Sequence, residues 1–267
     1  MSTQPAAAGG AEGPRRLRVP PRLRRGAALL PTTFTLGNLF LGFWAIVRTL
    51  NGQYADAAPL IGVAVVLDML DGRIARLTGT SSDFGAELDS LADVISFGVA
   101  PALLVYAWGF GPIPHPGWLA ASLFVMCGTL RLARFNVQRH AVDGRFFVGL
   151  PIPAGAWQVA ATVHFLKEPV TDKRTAVSVL VGVVVVAFLM ISALRYRSFK
   201  TVDLKTRRSH VYLLGIGLLF LLIALHPEWV LLSAATAYTL SGPAGYVFGL
   251  WRRGLWRPAG QPAAPPE

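Results

Sequence analysis

Long apolar runs alternate with short polar stretches along most of this chain. The runs cover about residues 32–50, 54–77, 84–110, 117–137, 151–167, 175–194, 209–226 and 228–251. Each run is close to the roughly 20 residues that an α-helix needs to cross a bilayer. The pattern therefore predicts an all-α, polytopic membrane bundle of about eight transmembrane helices. The runs 151–167 and 228–251 are the least regular, because the first contains Pro151, Pro153 and His164 and the second is interrupted by Ser241, Gly242 and Pro243. Proline in a span is tolerated only when neighbours satisfy the freed backbone groups.

Composition supports a membrane protein. Of the 267 residues, 53% are hydrophobic and only 15% are charged, yet the net charge is +11. Soluble proteins rarely combine these values. The basic residues lie between the apolar runs, so they indicate membrane orientation and contact with anionic membrane lipids rather than binding to nucleic acid. The single cysteine, Cys127, excludes an intrachain disulfide.

The two ends of the chain differ from the apolar part. Residues 1–30 contain Ala, Gly and Pro followed by a run of arginines, and such a segment lacks the apolar content to fold alone. We expect a flexible basic cytoplasmic tail over 1–30, one transmembrane domain over 31–252, and a disordered C-terminal tail over 253–267.

The distribution of Lys and Arg predicts the orientation. Basic residues precede the first run, lie near the end of the second as Arg73 and Arg76, and follow the fourth, sixth and eighth, whereas the loops after the third and seventh contain none. Lys167, Lys173 and Arg174 after the fifth run weaken this contrast. By the positive-inside tendency, both termini and the polar turn between the second and third runs lie on the cytoplasmic side.

Four aspartates stand out in the second and third apolar runs: Asp68, Asp71, Asp89 and Asp93. A carboxylate in a hydrocarbon setting is costly and normally marks function. Helical spacing puts Asp68 and Asp71 on one face and stacks Gly85, Asp89 and Asp93 on another. Four acids gathered in one place need neutralising cations. Oxygen ligands without His or Cys favour Mg²⁺ or Mn²⁺ over zinc, and we expect two ions.

The residues between the acid pairs suggest a phosphate ligand. Gly72 and Ala75 keep one helix face thin, and Arg76 offers a guanidinium fork that suits phosphate. The alternative is that the acids form structural ion pairs within the bundle. Against this alternative, only Arg73 and Arg76 are available in this stretch to pair with four acids.

Other polar residues allow two interpretations each. Asn38 lies with Thr35 on one face of the first run. These two residues either contact a substrate or form hydrogen bonds between helices. Arg131 and Arg134 lie one turn apart near the end of the fourth run, where they extend to the interface or bind phosphate or carboxylate. The last two runs and both tails contain no diagnostic motif.

The acid-rich stretch reads D-x-x-D-G-x-x-A-R-x8-G-x-x-x-D-x-x-x-D. It resembles the signature of the CDP-alcohol phosphatidyltransferase family with no position missing. The matching residues are Asp68, Asp71, Gly72, Ala75, Arg76, Gly85, Asp89 and Asp93. More loosely, the stretches PTTFTLGNLFLGF, LRLARFN, FFVGLPIPAGA and ALRYRSFK resemble the phosphatidylserine synthase branch of that family.

The resemblance implies a role for each matching residue. Asp68, Asp71 and Asp89 would bind metal, and Asp93 would be the general base while also lying near a metal. Gly72, Ala75, Arg76 and Gly85 would lie beside the nucleotide and diphosphate. A further hypothesis comes from position at the same membrane face: the acceptor or phosphate is bound by Asn38, Arg131, Arg134, Asn136 and Lys200.

The function implied is transfer of the phosphatidyl group from CDP-diacylglycerol to L-serine, giving phosphatidylserine and CMP, in the bacterial inner membrane and in a homodimer. One alternative is the same chemistry with glycerol 3-phosphate, an inositol phosphate or choline as acceptor. Two alternatives come from other classes of protein. An intramembrane prenyltransferase also uses aspartates and magnesium on a diphosphate, and a transporter would use the aspartates as a relay for protons or cations. Metal-dependent release of CMP separates these classes.

Overall fold

The protein is described by a computed structural model that covers residues 21–78, 83–138, 146–197, 217–218 and 221–255. Eight α-helices, one π-helical segment and two short strands are fully described. In chain order these are α1 (Pro21–Leu50), α2 (Tyr54–Thr78), α3 (Asp83–Asp93), the π segment (Val94–Val99), α4 (Ala100–Gly109), α5 (Pro114–Gln138), β1 (Phe146–Val148), α6 (Ile152–Leu166), α7 (Lys173–Ile191), β2 (Arg195–Arg197) and α8 (Pro227–Leu255).

The predicted all-α membrane bundle is confirmed. Within the part of the chain that the structure describes, four stretches are long and apolar enough to cross a membrane: Thr32–Leu50, Phe84–Gly109, Pro114–Val137 and Lys173–Ile191. Helix α2 occupies the second predicted run, and it carries Asp68 and Asp71 among its apolar residues. The seventh predicted run lies only partly in the described residues, with helical backbone at 217–218 and 221–225, so the count of eight spans stays a prediction. Of the predicted tails, residues 1–20 and 256–267 lie outside the described residues, whereas 21–30 belong to α1 and 253–255 to α8.

The helices α1 and α2 form an antiparallel hairpin, the most extensively packed pair of the bundle. The three residues between them form a tight turn in which the Gln53 N–H donates to Arg48 O at 2.9 Å. Outside the turn, the Arg48 side chain donates to Gln53 Oε1 at 2.6 Å. Leu67 lies 3.6 Å from the Cβ position of Gly37, which sets the register in which the polar part of α2 lies beside α1.

The third predicted span is continuous from Asp83 to Gly109, but its middle is a π helix. The Ala100 N–H donates to Ile95 O, five residues earlier, where an α-helix would use the fourth. Proline at position 101 has no N–H to donate, and in an α-helix its ring would clash with the carbonyl four residues earlier. The wider π turn avoids this clash. The π segment begins directly after Asp93.

A close approach fixes the π segment against α1. A Cβ on Gly42 would lie 2.6 Å from the Ser96 Cα, so only glycine fits here without displacing backbone. The Ser96 hydroxyl donates to the Asn38 carbonyl at 3.0 Å. These contacts hold the end of α3 beside the face of α1 that carries Asn38.

The last helix, α8, is joined to the bundle by polar side chains. Gln158 of α6 donates to the Thr236 hydroxyl at 3.3 Å and accepts from the Thr239 hydroxyl at 3.3 Å. Tyr196 of β2, which is fully buried, donates its hydroxyl to the Thr239 carbonyl at 3.1 Å. We call Gln158, Thr236, Thr239 and Tyr196 the Gln158 network. It attaches a helix that the sequence alone did not connect to any site.

Candidate active site

Three of the four predicted metal ligands meet. One carboxylate oxygen each from Asp68, Asp71 and Asp89 lies within 4.8 Å of the others. The first two come from adjacent turns of α2 and the third from α3, so two consecutive helices contribute to one point. Asp93 is in electrostatic range of all three. We call these four residues the acidic site.

The acidic site is largely withdrawn from solvent. Asp71 and Asp93 are buried, while Asp68 and Asp89 are partly exposed. Carboxylates at such separations repel strongly in a medium of low dielectric. Three oxygens at 4.8 Å or less match the donor set and span of a site for a hard divalent cation with bond lengths of roughly 2.0–2.6 Å. The residues present therefore fit a divalent metal.

Helix α1 covers one side of the acidic site. The Thr35 hydroxyl donates to Asp71 Oδ2 at 3.2 Å. Because α1 and α2 are antiparallel, Asn38 lies level with Asp68 when Thr35 lies level with Asp71. The sequence had grouped Thr35 with Asn38 on one face, but it did not identify Thr35 as a partner of a site acid.

Asn38 is a fully buried amide. Neither its Nδ2 nor its Oδ1 has a hydrogen-bond partner among the described residues. An unsatisfied buried amide is destabilising. Its burial at the level of Asp68 thus calls for a functional explanation.

Helix α5 also brings a polar side chain near the acidic site. Arg131 is buried and lies in electrostatic range of Asp93 and Asp68. Its guanidinium carbon lies 5.3 Å from the centre of the Phe135 ring. Arg134, one turn along, is exposed, so the two arginines that the sequence paired occupy different environments.

Asn136 links α5 to α3. Its Nδ2 donates to the Ser90 hydroxyl at 2.8 Å, and Ser90 in turn donates to the Ala86 carbonyl at 2.9 Å. Ser90 is adjacent in sequence to Asp89, so this contact orients the helix that carries the acid. The Oδ1 atom of Asn136 has no hydrogen-bond partner in the described part of the chain.

The structure describes the remaining predicted residues unequally. Gly72 and Gly85 are half-buried on α2 and α3. The backbone of α2 includes Ala75 and Arg76, but their side chains lie outside the described residues, as does the whole of Lys200. Their predicted roles stay predictions.

Comparison with known proteins identifies the family. The family described as CDP-alcohol phosphatidyltransferase matches residues 28–191, which contain the whole acidic site. The chain belongs to the CDP-alcohol phosphatidyltransferase family. Membership agrees with the resemblance of the acid motif, and with a transferase embedded in the membrane.

Three relatives carry the name CDP-diacylglycerol–serine O-phosphatidyltransferase. The protein from Helicobacter pylori (strain ATCC 700392 / 26695) is 41% identical over 201 residues, 72% of this chain and 81% of the relative. The one from Mycobacterium leprae (strain TN) is 35% identical over 223 residues, 79% and 74% of the two chains. The one from Methanocaldococcus jannaschii is 34% identical over 215 residues, 80% and 92%. The likeness thus extends well beyond the acid motif.

Proposed function

We propose that this protein transfers the phosphatidyl group from CDP-diacylglycerol to the hydroxyl of L-serine, forming phosphatidylserine and CMP. The observation that carries the proposal is the meeting of Asp68, Asp71 and Asp89 oxygens within 4.8 Å, with Asp93 beside them, in a chain of this family. The names of the relatives support serine as the acceptor.

The acidic site is proposed to hold two Mg²⁺ or Mn²⁺ ions. Asp68, Asp71 and Asp89 are the ligands, and Asp93 lies near them. When bound, these ions supply positive charge that neutralises the diphosphate and the leaving phosphate of CMP. Gly72, Ala75, Arg76 and Gly85 are proposed to line the nucleotide and diphosphate, as the family motif implies.

Asp93 is the proposed general base. The serine oxygen forms a bond to the phosphorus that carries diacylglycerol, the bond from that phosphorus to the CMP oxygen breaks, and the serine hydroxyl proton moves to Asp93. Asp93 Oδ1 has no hydrogen-bond partner in the residues described, so an acceptor position is available for that proton. Burial excludes water, which would compete with serine for the phosphorus.

The acceptor is proposed to bind between α1 and α5. Asn38 and Asn136 each keep a buried amide oxygen without a partner in the described structure, and these oxygens suit the ammonium group of serine. Arg131 suits its carboxylate. Arg134 and Lys200 are proposed to hold phosphate or carboxylate nearer the cytoplasmic interface.

The setting follows from the substrate. A lipid with two acyl chains is costly to remove from the bilayer, so the site opens to lipid near the interface. We propose that the site and both termini face the cytoplasm at the bacterial inner membrane, and that the enzyme is a homodimer.

An acceptor screen tests this proposal. Purified protein in phospholipid vesicles receives CDP-diacylglycerol, Mg²⁺ or Mn²⁺, and serine, glycerol 3-phosphate, inositol phosphate or choline, and mass spectrometry identifies the lipid product. Serine should give phosphatidylserine and an equal amount of CMP, and chelation should stop the reaction. A different headgroup, or no release of CMP, would overturn the proposal.

Asp93→Asn tests the base within the same assay. It should abolish turnover, because the amide cannot accept the proton. Asp56→Asn is the matched control, since Asp56 is exposed on the far end of the same α2 hairpin, 3.7 Å from Arg48, and its loss should leave turnover unchanged. Retained turnover in Asp93→Asn would refute the assignment of the base.

A further inference from the structure

Thr35 differs from other threonines of the bundle in the group that its hydroxyl contacts. The hydroxyls of Thr49, Thr129 and Thr162 each donate to the carbonyl one turn earlier in their own helix, as threonine commonly does in helices. The Thr35 hydroxyl donates across the helix pair to Asp71 Oδ2 at 3.2 Å. Both partners are buried, with 5% of Thr35 and 4% of Asp71 exposed. This contact links α1 directly to a proposed metal ligand.

Backbone contacts hold α1 in the two turns that follow Thr35. The Cβ position of Gly37 lies 3.6 Å from the Leu67 side chain on α2. A Cβ on Gly42 would lie 2.6 Å from the Ser96 Cα on the π segment, so the two backbones meet there without a side chain between them. Close packing on both neighbours therefore sets where the Thr35 hydroxyl lies relative to the acidic site.

A hydrogen bond of this kind affects how a carboxylate binds a metal. The torsion that turns the carboxylate of an aspartate is broad, so an aspartate without a partner presents its oxygens in many directions. A donor on one oxygen narrows that range. Side chains that hold metal-binding carboxylates in this way contribute about 10–100-fold to metal affinity or activity.

We propose that Thr35 is a positioning residue for the metal site: its hydroxyl orients the Asp71 carboxylate so that Asp71 binds a divalent cation together with Asp68 and Asp89. This inference rests on the proposed function, which supplies the cation. It adds a residue of α1 to a set of residues that the acid motif confines to α2 and α3.

Thr35→Val is the direct test, because it removes the hydroxyl and keeps the size and the branched shape of the side chain. Full-length protein in phospholipid vesicles is titrated with Mn²⁺ alone, and electron paramagnetic resonance measures the free ion. Thr35→Val should lower the affinity for Mn²⁺ about tenfold, whereas Thr35→Ser, which keeps a hydroxyl, should stay close to the wild type. Thr35→Ala also lacks the hydroxyl and should match Thr35→Val, so it answers the question if valine prevents folding.

Thr49→Val is the matched control. Thr49 is buried near the other end of the same helix, and its hydroxyl donates to the Ala45 carbonyl at 2.8 Å. This variant loses a buried hydroxyl from α1 but has no contact with the acidic site, so its Mn²⁺ affinity should equal that of the wild type. In assays of CMP release, only the variants without a hydroxyl at position 35 should need more Mn²⁺ for half-maximal turnover, and saturating Mn²⁺ should restore their kcat.

Three results would overturn the inference. The first is an unchanged Mn²⁺ affinity in Thr35→Val, and the second is an equal loss in Thr35→Ser, because the hydroxyl would then not be the cause. The third is a lower melting temperature without Mn²⁺ together with an unchanged affinity, which indicates a role in folding alone. A wild-type protein that binds Mn²⁺ but makes no phosphatidylserine would instead overturn the proposed function, and the binding titration would still decide the role of Thr35.

Discussion

Two groups of polar side chains lie inside the apolar bundle, and they differ in how they are satisfied. In the Gln158 network, the side-chain amide and its threonine partners bond to one another. Around the acidic site, like charges converge, and Asn38 and Asp93 keep atoms without hydrogen-bond partners in the described structure. Satisfied polar groups stabilise a fold, whereas converging, unsatisfied ones destabilise it and are retained for a ligand.

The difference separates two tasks within one bundle. The Gln158 network joins α6, α8 and β2, and nothing in it needs a further partner to be stable. Under the proposed function, the acidic site is completed by cations and a substrate. Substitutions in the Gln158 network should therefore lower stability more than activity, and substitutions around the acidic site should lower activity more than stability.

The largest effect is expected at Asp89. Asp89→Asn removes one of three converging carboxylates, so turnover should fall about 100-fold or more and the affinity for Mn²⁺ should fall with it. The measurements are CMP release and Mn²⁺ binding by electron paramagnetic resonance. Glu87→Gln, an exposed change on the same helix α3, should alter neither. Unchanged Mn²⁺ affinity in Asp89→Asn would remove this residue from the ligand set.

Asn38→Leu should lower turnover without lowering the stability of the fold. Leucine has a similar volume and leaves no amide unsatisfied, so the free energy of unfolding should rise by about 1 kcal/mol. Turnover should fall about tenfold, because a proposed substrate contact is lost. Thermal denaturation in detergent and CMP release measure the two effects. Full turnover together with lower stability would identify Asn38 as a structural residue.

Gln158→Leu should lower the stability of the fold and leave the acidic site intact. Thr236 and Thr239 would lose their side-chain partner, and such bonds in membrane proteins contribute about 1 kcal/mol. We expect a lower melting temperature and unchanged Mn²⁺ affinity. A change of Mn²⁺ affinity as large as that of Asp89→Asn would end the distinction between the two groups.

The smallest effect is expected at Asp172, outside both groups. Its carboxylate caps α7 by accepting from the Thr175 N–H at 2.7 Å, and this hydrogen bond holds the pKa of Asp172 below its ordinary value. The cap stabilises the folded state when the carboxylate is ionised, so its contribution is present above the ordinary pKa and is lost as pH falls through the lowered pKa. Asp172→Ala should slightly lower the melting temperature at neutral pH and leave it unchanged in acid, with turnover intact.

The acid motif was predictable because it is local. Helical spacing on two helices that are consecutive in the chain brings Asp68, Asp71 and Asp89 to one place. The apolar runs likewise predicted the helical bundle, since a bilayer requires long helices with internally satisfied backbones.

The surroundings of those acids were decided by tertiary packing. The position of the π segment against α1 depends on how Gly42 and Ser96 meet, and no single run of sequence contains both. Arg131 and Arg134 look equivalent at one turn's separation, yet only contacts with other helices bury the first and leave the second exposed. The hydrogen bond from Thr239 to Gln158 has no local signal either, because it joins residues 81 positions apart in the chain.

By itself, then, the sequence determined the helices, the family and the acids of the acidic site, since each depends on periodicity or on spacing within neighbouring turns. The tertiary structure alone decided which polar groups are satisfied, which arginine is buried in electrostatic range of the acids, and which distant helix the Gln158 network attaches. The physical reason is that hydrogen-bond satisfaction and burial are properties of contacts between elements, and these contacts have no fixed spacing along the chain.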